Sequence, residues 1–163
     1  MPNYLFMDYK KIVKEDIDQL IKLQQVLMKE HKLMEPVLYN LSDDAEEKVR
    51  SFFLSSMESE EKFFYGAYEK NKLVGYAFGW IDSRPPILSI QKIGNLSDIC
   101  VSSASRKKGV GKQLLNLFVN WCKDKGVETI QLMVLCNNNA VDFYTKYGFR
   151  DFMRKMVFDI KGS

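Results

Sequence analysis

From Ile93 to Cys136 the chain runs through an apolar strand-like stretch, a glycine turn, an amphipathic helical pattern and a second apolar stretch, an order few folds accommodate around so basic a turn. The turn is SRKKGVGKQLL, Ser105 to Leu115. Behind it Val110, Leu114, Leu117, Phe118 and Trp121 recur on one helical face up to Gly126, a residue suited to leave a helix in a left-handed turn. Ahead of it IGNLSDICVSS reads as a strand. After the helix ETIQLMVLCN, dense in apolar and β-branched residues, reads as a buried central strand. The turn fails the dinucleotide fingerprint G-x-G-x-x-G, because Leu114 stands where the third glycine belongs. It also fails the Walker pattern G-x-x-x-x-G-K-S/T, because Arg106 replaces the first glycine and Gln113 the hydroxyl that binds magnesium. What those loops share survives: glycines let backbone N–H groups approach an anion, and the orphan N–H groups of the following helix aim partial positive charge at it. A pyrophosphate is the natural guest, and a helix start with a solvated basic turn is the alternative.

The remaining segments surround that unit. LFMDYKKIV reads as an opening strand. The helix that follows carries Ile17, Leu20, Ile21, Gln24, Leu27 and Met28 at helical spacing, with Asp16 and Gln19 placed as a capping pair. A second amphipathic helix runs from about Asp43, with an acidic first turn, through Val49, Phe52, Phe53 and Met57. KFFYGAYEKNKLVGYAFGWID reads as two β-rich arms around a polar turn, and Pro85 with Pro86 then interrupts the sheet pattern. NNAVDFYTKY returns to helical spacing at Ala140, Phe143, Tyr144 and Tyr147. Gly148 punctuates, and FRDFMRKMVFDI alternates as a final strand. The order β, α, α, β, β, β, α, β, α, β predicts a mixed α/β (α+β) fold in one domain over residues 1–160, with 161–163 a tail.

Composition narrows the function. A net charge of +3 on 163 residues, with no polybasic arm or acidic tail, argues against nucleic acid as the main partner. The first ten residues lack the basic start and apolar stretch of a signal peptide, and no apolar run reaches the roughly 20 residues needed to span a bilayer, so no membrane partner and a cytoplasmic location are expected. Cys100, Cys122 and Cys136 form no Cys-x-x-Cys pair; neither a disulfide framework nor a metal site is expected, and all three read as small core residues. An exposed sheet edge would offer a route to a homodimer.

Two blocks carry a resemblance. Arg106, Gly109 and Gly111 match the R/Q-x-x-G-x-G/A signature of the GNAT superfamily of acyl-CoA-dependent N-acyltransferases. Asn137, Ala140, Phe143, Tyr144, Gly148 and Phe149 match its N-x-x-A-x-x-F-Y-x-x-x-G-F signature. The resemblance implies a mixed, mostly antiparallel central sheet flanked by about four helices. It implies acetyl-CoA as the acyl donor and an amine as acceptor. The backbone of Lys107, Lys108, Gly109, Val110, Gly111 and Lys112, after Arg106, would hold the pyrophosphate; the strand end Ile99, Cys100 and Val101 would pair with the pantetheine arm, and Asn137 would touch the same arm.

Acyl transfer to an amine sets two proton problems. A primary amine with pKa about 10.4 is neutral in only about one part in a few thousand at pH 7, so a group must accept its proton. The leaving sulfur needs an acid, and Tyr144 matches the motif tyrosine that the family uses for it. The resemblance suggests Asp98 as the base, since it stands three residues before Val101 on the strand where related enzymes often carry an acidic residue near the reacting centre; alternation gives it the face of Cys100, it could act directly or through water, and a structural carboxylate is the alternative. Glu30, Glu35, Asp82 and Tyr39 could line the acceptor pocket, and His31, the only histidine, is either an acceptor-site group or a helix-end cation. A covalent acyl-Cys100 route lacks a recognisable histidine partner, so direct attack in a ternary complex is expected; the architecture that the resemblance implies would put a backbone oxyanion donor near Val101. The acceptor is expected to be a small-molecule amine, with a protein or peptide amine or a non-catalytic acyl-CoA-binding module as alternatives.

Overall fold

In a computed structural model the chain is described for residues 6–160, so the tail expected at 161–163 lies outside the described residues. The chain divides into one unit up to Met133 and a second from Val134. The first contains β1 (Met7–Lys11), a 3-10 turn, α1 (Ile17–Met34), α2 (Ala45–Met57), β2 (Lys62–Glu69), β3 (Lys72–Ser83), β4 (Lys92–Val101), a second 3-10 turn (Ser103–Ser105), α3 (Val110–Asp124) and β5 (Ile130–Leu132). Its sheet has the order β1-β2-β3-β4-β5. Every pair is antiparallel except β4 with β5, which the α3 crossover makes parallel. The second unit holds α4 (Ala140–Tyr147). This is the mixed, mostly antiparallel sheet with four helices that the family resemblance implies.

The β2–β3 hairpin turns through Lys70 and Asn71, both with positive φ (49° and 67°). Two such residues make the primed turn whose twist suits antiparallel strands. On one face of the sheet Phe64, Tyr76, Phe78 and Cys100 join Leu20, Ile21 and Leu23 of α1 and Phe53 and Met57 of α2 in one apolar cluster. On the other face Phe118 of α3 meets Phe63 edge to face at 5.3 Å. The helix closes on Gly126 at φ 73°.

Several expectations are corrected. The Asp16–Gln19 capping pair does not form on α1, because both side chains serve tertiary contacts: Asp16 accepts from the Tyr68 hydroxyl at 2.6 Å and Gln19 from the Leu73 N–H at 2.9 Å. Leu115 rather than Leu117 is buried on α3. The strand expected as central is a three-residue strand at the end of the described sheet, because its ladder to β4 stops at Leu132 opposite Leu96. The alternation in FRDFMRKMVFDI yields no strand among the described residues; a strand needs a ladder, and Phe152, Met153, Met156 and Phe158 stand exposed. Cys100 and Cys122 are buried as expected, but Cys136 is exposed.

Close approach of α3 to the sheet depends on Gly79, where a Cβ would lie 2.5 Å from the Asn95 carbonyl oxygen and 2.5 Å from Phe118 Cε2. Gly79→Ala is expected to destabilise the protein by about 1–3 kcal/mol, the range for overpacked cores, and to lower Tm by several degrees in a thermal melt.

Candidate active site

The geometry of the site begins with an irregularity in β4. Cys100, Ile99 and Asp98 pair with Tyr76, Ala77 and Phe78, but Leu96 pairs with Gly79, so Ser97 is an extra residue on β4. Such a bulge shifts the side-chain alternation by one. Leu96, opposite Gly79, shares the face packed by α3, whereas Asp98 and Cys100 share the α1 and α2 face with Phe78 and Tyr76. Asp98 thereby enters the core side of the sheet.

The same strand carries a backbone edge. The Ser102 N–H donates to the Val74 carbonyl at 2.8 Å, so the even-numbered residues of the β4 end direct their backbone polar groups to β3, and Ile99 and Val101 direct theirs the opposite way. Only Gly94, Asn95 and Leu96 pair with β5. Beyond them β4 presents the backbone of Ile99 and Val101 on the edge that β5 has left.

This edge leads into the glycine turn. Lys107 and Gly109 take positive φ (60° and 80°), and Gly109 stands at the N-terminus of α3. A Cβ at Gly109 would meet nothing within 4 Å, so the glycine is there for its backbone angle, not for space. The first helical hydrogen bond runs from Gln113 N–H to the Gly109 carbonyl at 3.0 Å, leaving the N–H groups of Val110, Gly111 and Lys112 as the helix's orphan donors. Lys107, Lys108 and Lys112 are exposed around them. Arg106 is engaged differently: its Nε donates to the Val101 carbonyl at 2.9 Å and its guanidinium pairs with Glu30 at 2.6 Å, tying the end of α1 to the end of β4.

Asp98 accepts from the Tyr76 hydroxyl at 3.0 Å and from Ser97 Oγ at 2.8 Å. Burial pushes its pKa above the usual carboxylate range, against those two hydrogen bonds and the nearby His31, which lower it. The Tyr76 hydroxyl is pushed well up by its own burial and by the Asp98 charge. His31, in the last turn of α1, packs against Tyr39 with ring centroids 4.9 Å apart. Burial lowers its pKa, opposed by the Asp98 and Glu30 charges. Cys100 donates to the Leu23 carbonyl, and its thiol is pushed up to about 12, chiefly by burial. Thiolate is the nucleophile, so this cysteine is an inert core group.

Further along the same face, Trp80 Nε1 and Asn95 Nδ2 both donate to Asp82 Oδ2, at 3.0 and 2.7 Å, and Gln131 Nε2 donates to Asn95 Oδ1 at 2.6 Å. Sequence reasoning named Asp82 but missed Trp80, Asn95, Gln131, Tyr76 and Ser97. The available signal was the break of alternation at Leu96-Ser97-Asp98.

In the second unit Tyr144 is half-buried on α4, with its ring 5.1 Å from Phe143 and 5.6 Å from Phe149. Gly148, at φ 119°, ends the helix, with the Phe149 N–H returning to the Tyr144 carbonyl at 3.0 Å. Asn137 is exposed, and its neighbour Asn138 accepts from the Ala140 N–H at 2.8 Å to start the helix.

Among the described residues no helix is long and apolar enough to cross a membrane. A family model described as acetyltransferase (GNAT) family matches residues 23–149. Over 89 residues the chain is 35% identical to the uncharacterized N-acetyltransferase YobR of Bacillus subtilis, a match that covers 54% of this chain and 33% of that protein. The chain thus spans about a third of that relative's length. Among solved structures it is similar to a tetramutant of the BH1408 protein from Bacillus halodurans, with TM-score 0.83, 19% identity, and 94% and 99% of the two chains covered. It is also similar to a predicted acetyltransferase with acetyl-CoA from Clostridium acetobutylicum, with TM-score 0.74, 21% identity, and 95% and 97% covered. The matched span takes in most of the chain, including β4, the glycine turn and α4, and the chain belongs to the acetyltransferase (GNAT) family.

Proposed function

We propose that the protein is an N-acetyltransferase that moves an acetyl group from acetyl-CoA to a primary amine, by direct attack in a ternary complex. The observation that carries this reading is the continuity of the β4 edge at Ile99 and Val101, which no strand among the described residues covers and where Arg106 holds the Val101 carbonyl, with the glycine turn and the α3 N-terminus. Such a path offers strand-like pairing to a pantetheine arm and backbone donors to a pyrophosphate. The solved relative from Clostridium acetobutylicum carries acetyl-CoA. The family match runs across both units, which supports reading residues 1–160 as one domain.

In this reading the N–H groups of Lys107 through Lys112 hold the pyrophosphate and the outward backbone of Ile99 and Val101 pairs with the arm, with Asn137 as a polar contact; Cys100, between them, has its backbone turned to β3 and its thiol bonded to Leu23, so it serves the strand rather than the arm. Bound acetyl-CoA supplies a thioester carbonyl activated toward an amine. The Val101 N–H faces the open edge, where it would stabilise the developing oxyanion. Asp98 accepts the amine's proton, directly or through water. Tyr144 donates to the departing sulfur. The Cys100 thiol, held neutral, argues for direct attack over an acyl-cysteine.

The acceptor favoured by the same face is a cationic small-molecule amine. Asp82, anchored by Trp80 and Asn95, puts a fixed negative charge and an indole edge along the strand from Asp98. Strand rise places Asn95 about 10 Å from Asp98, the span of a second functional group on a small acceptor.

Two measurements test the reading. Calorimetric titration with acetyl-CoA is expected to give saturable binding that Gly111→Glu abolishes; a carboxylate in the first helical turn suits the helix dipole, so the fold is retained while the anion is repelled. Tyr144→Phe is expected to lower turnover by about 100-fold, within the range for general acids, with acetyl-CoA affinity unchanged. Unchanged turnover would remove Tyr144 from the leaving-group role, and a parent protein without acetyl-CoA binding would overturn the enzyme reading.

A further inference from the structure

Neighbouring side chains on a regular strand point to opposite faces, yet Ser97 Oγ donates to Oδ1 of its neighbour Asp98 at 2.8 Å. The bulge makes this contact, because Ser97 is the extra residue between Leu96, opposite Gly79, and Asp98, opposite Phe78. The two oxygens of Asp98 are then unequally placed. Oδ2 accepts from the Tyr76 hydroxyl at 3.0 Å, and Tyr76 is 0% exposed, so that side is sealed in the core. Oδ1 accepts from Ser97, which is exposed while Asp98 is half-buried. A serine hydroxyl has one proton and two lone pairs, so with its proton given to Asp98 it retains the capacity to accept a hydrogen bond. Ser97 also stands two residues before Ile99, about 7 Å along the strand from the backbone that faces the edge left by β5. An exposed hydroxyl, a half-buried carboxylate and a buried phenol thus follow one another through two hydrogen bonds.

We propose that Ser97 is a catalytic residue of the transfer reaction, its hydroxyl passing the acceptor amine's proton to Asp98 Oδ1. This rests on the acetyltransferase reading above and names the group through which Asp98 works, in place of a water. As the amine nitrogen bonds to the thioester carbon it takes a positive charge. One N–H bond then breaks and its proton bonds to Ser97 Oγ, while the Oγ–H bond breaks and that proton bonds to Oδ1. The electron pair of the broken N–H bond stays on nitrogen, which becomes the amide nitrogen once the thiol has left with the Tyr144 proton. The serine hydroxyl is regenerated in the same step, so no alkoxide forms. Asp98, left as a neutral carboxylic acid, returns its proton to solvent along the same two atoms. Tyr76 keeps Oδ2 occupied throughout, which holds Oδ1 toward Ser97. Burial raises the Asp98 pKa and so makes the carboxylate a stronger base.

The discriminating pair of variants is Ser97→Thr and Ser97→Val, which add the same branched bulk at an exposed strand position and differ only in a hydroxyl. Single-turnover thiol release from acetyl-CoA is followed with diaminopentane, glucosamine and tryptamine as probe amines. With the amine that the parent uses fastest, Ser97→Val is expected to react about 100-fold more slowly than Ser97→Thr, with equal acetyl-CoA affinity in calorimetry. The solvent deuterium isotope effect on that rate is expected to be larger in Ser97→Thr, since one more proton moves there and every other proton transfer is common to the pair. A hydroxyl that only positioned Asp98 would leave the two isotope effects equal. Equal rates, or equal isotope effects, would overturn the relay and leave the transfer reading standing. An Asp98→Asn protein with the parent's rate would overturn the relay at its far end. A parent that binds acetyl-CoA yet releases no thiol with any probe amine would overturn the transfer reading from which the role derives.

Discussion

One extra residue in β4 governs the arrangement of the site. Without Ser97 as a bulge, strict alternation would place Asp98 on the same face as Leu96, against α3 and Phe118. With it, Asp98 and Cys100 face α1 and α2, and Asp98 comes within hydrogen-bond reach of Tyr76. The bulge also coincides with the end of the β4–β5 ladder. A bulge increases local twist and bends its strand, so one irregularity both redirects a carboxylate and exposes a backbone edge. Two requirements of the proposed acyl transfer, a polar group at the acceptor and outward peptide groups for the donor, would be met by a single insertion.

The end of α1 is secured to this strand by a modest interaction used well. The Glu30–Arg106 pair is partly exposed, and isolated exposed ion pairs contribute little to stability. Arg106 also donates to the Val101 carbonyl, however, so one guanidinium spans a helix end and a strand end. Its planar fork makes both contacts at once, which a lysine cannot. The value of the pair lies in alignment: it fixes the end of α1 at Glu30 against the end of β4 at Val101.

Much of this was legible from the residues. The strand, glycine turn and helix from Ile93 to Gly126, the hairpin around Lys70 and Asn71, and the helices α1 and α2 follow from periodicity and turn chemistry, and the structure repeats them as elements, although on their faces Leu23 is buried and Phe52 exposed. What failed were inferences from local signals whose outcome is decided at long range. Asp16 and Gln19 have capping spacing, but their side chains bond to Tyr68 and Leu73, more than fifty positions away. ETIQLMVLCN and FRDFMRKMVFDI have strand composition, but a strand exists only where another supplies its ladder. Asp98 was singled out as a candidate by its place on the strand that the resemblance assigns to the donor; Tyr76, which holds it, was hidden inside an aromatic arm that reads as core, because no local pattern marks one hydroxyl among many rings.

The three cysteines, alike in sequence, are chemically unequal in the fold. Cys100 and Cys122 are buried with thiols raised to about 12. At neutral pH each is thiolate in only about one molecule in a hundred thousand. Cys136, exposed and adjacent to Asn137, is the thiol that alkylating reagents meet. A single-turn labelling reaction on the unmodified chain therefore attaches a fluorophore or spin label beside the residue proposed to touch the donor's arm. The protein carries its own attachment point for watching that segment respond when acetyl-CoA arrives.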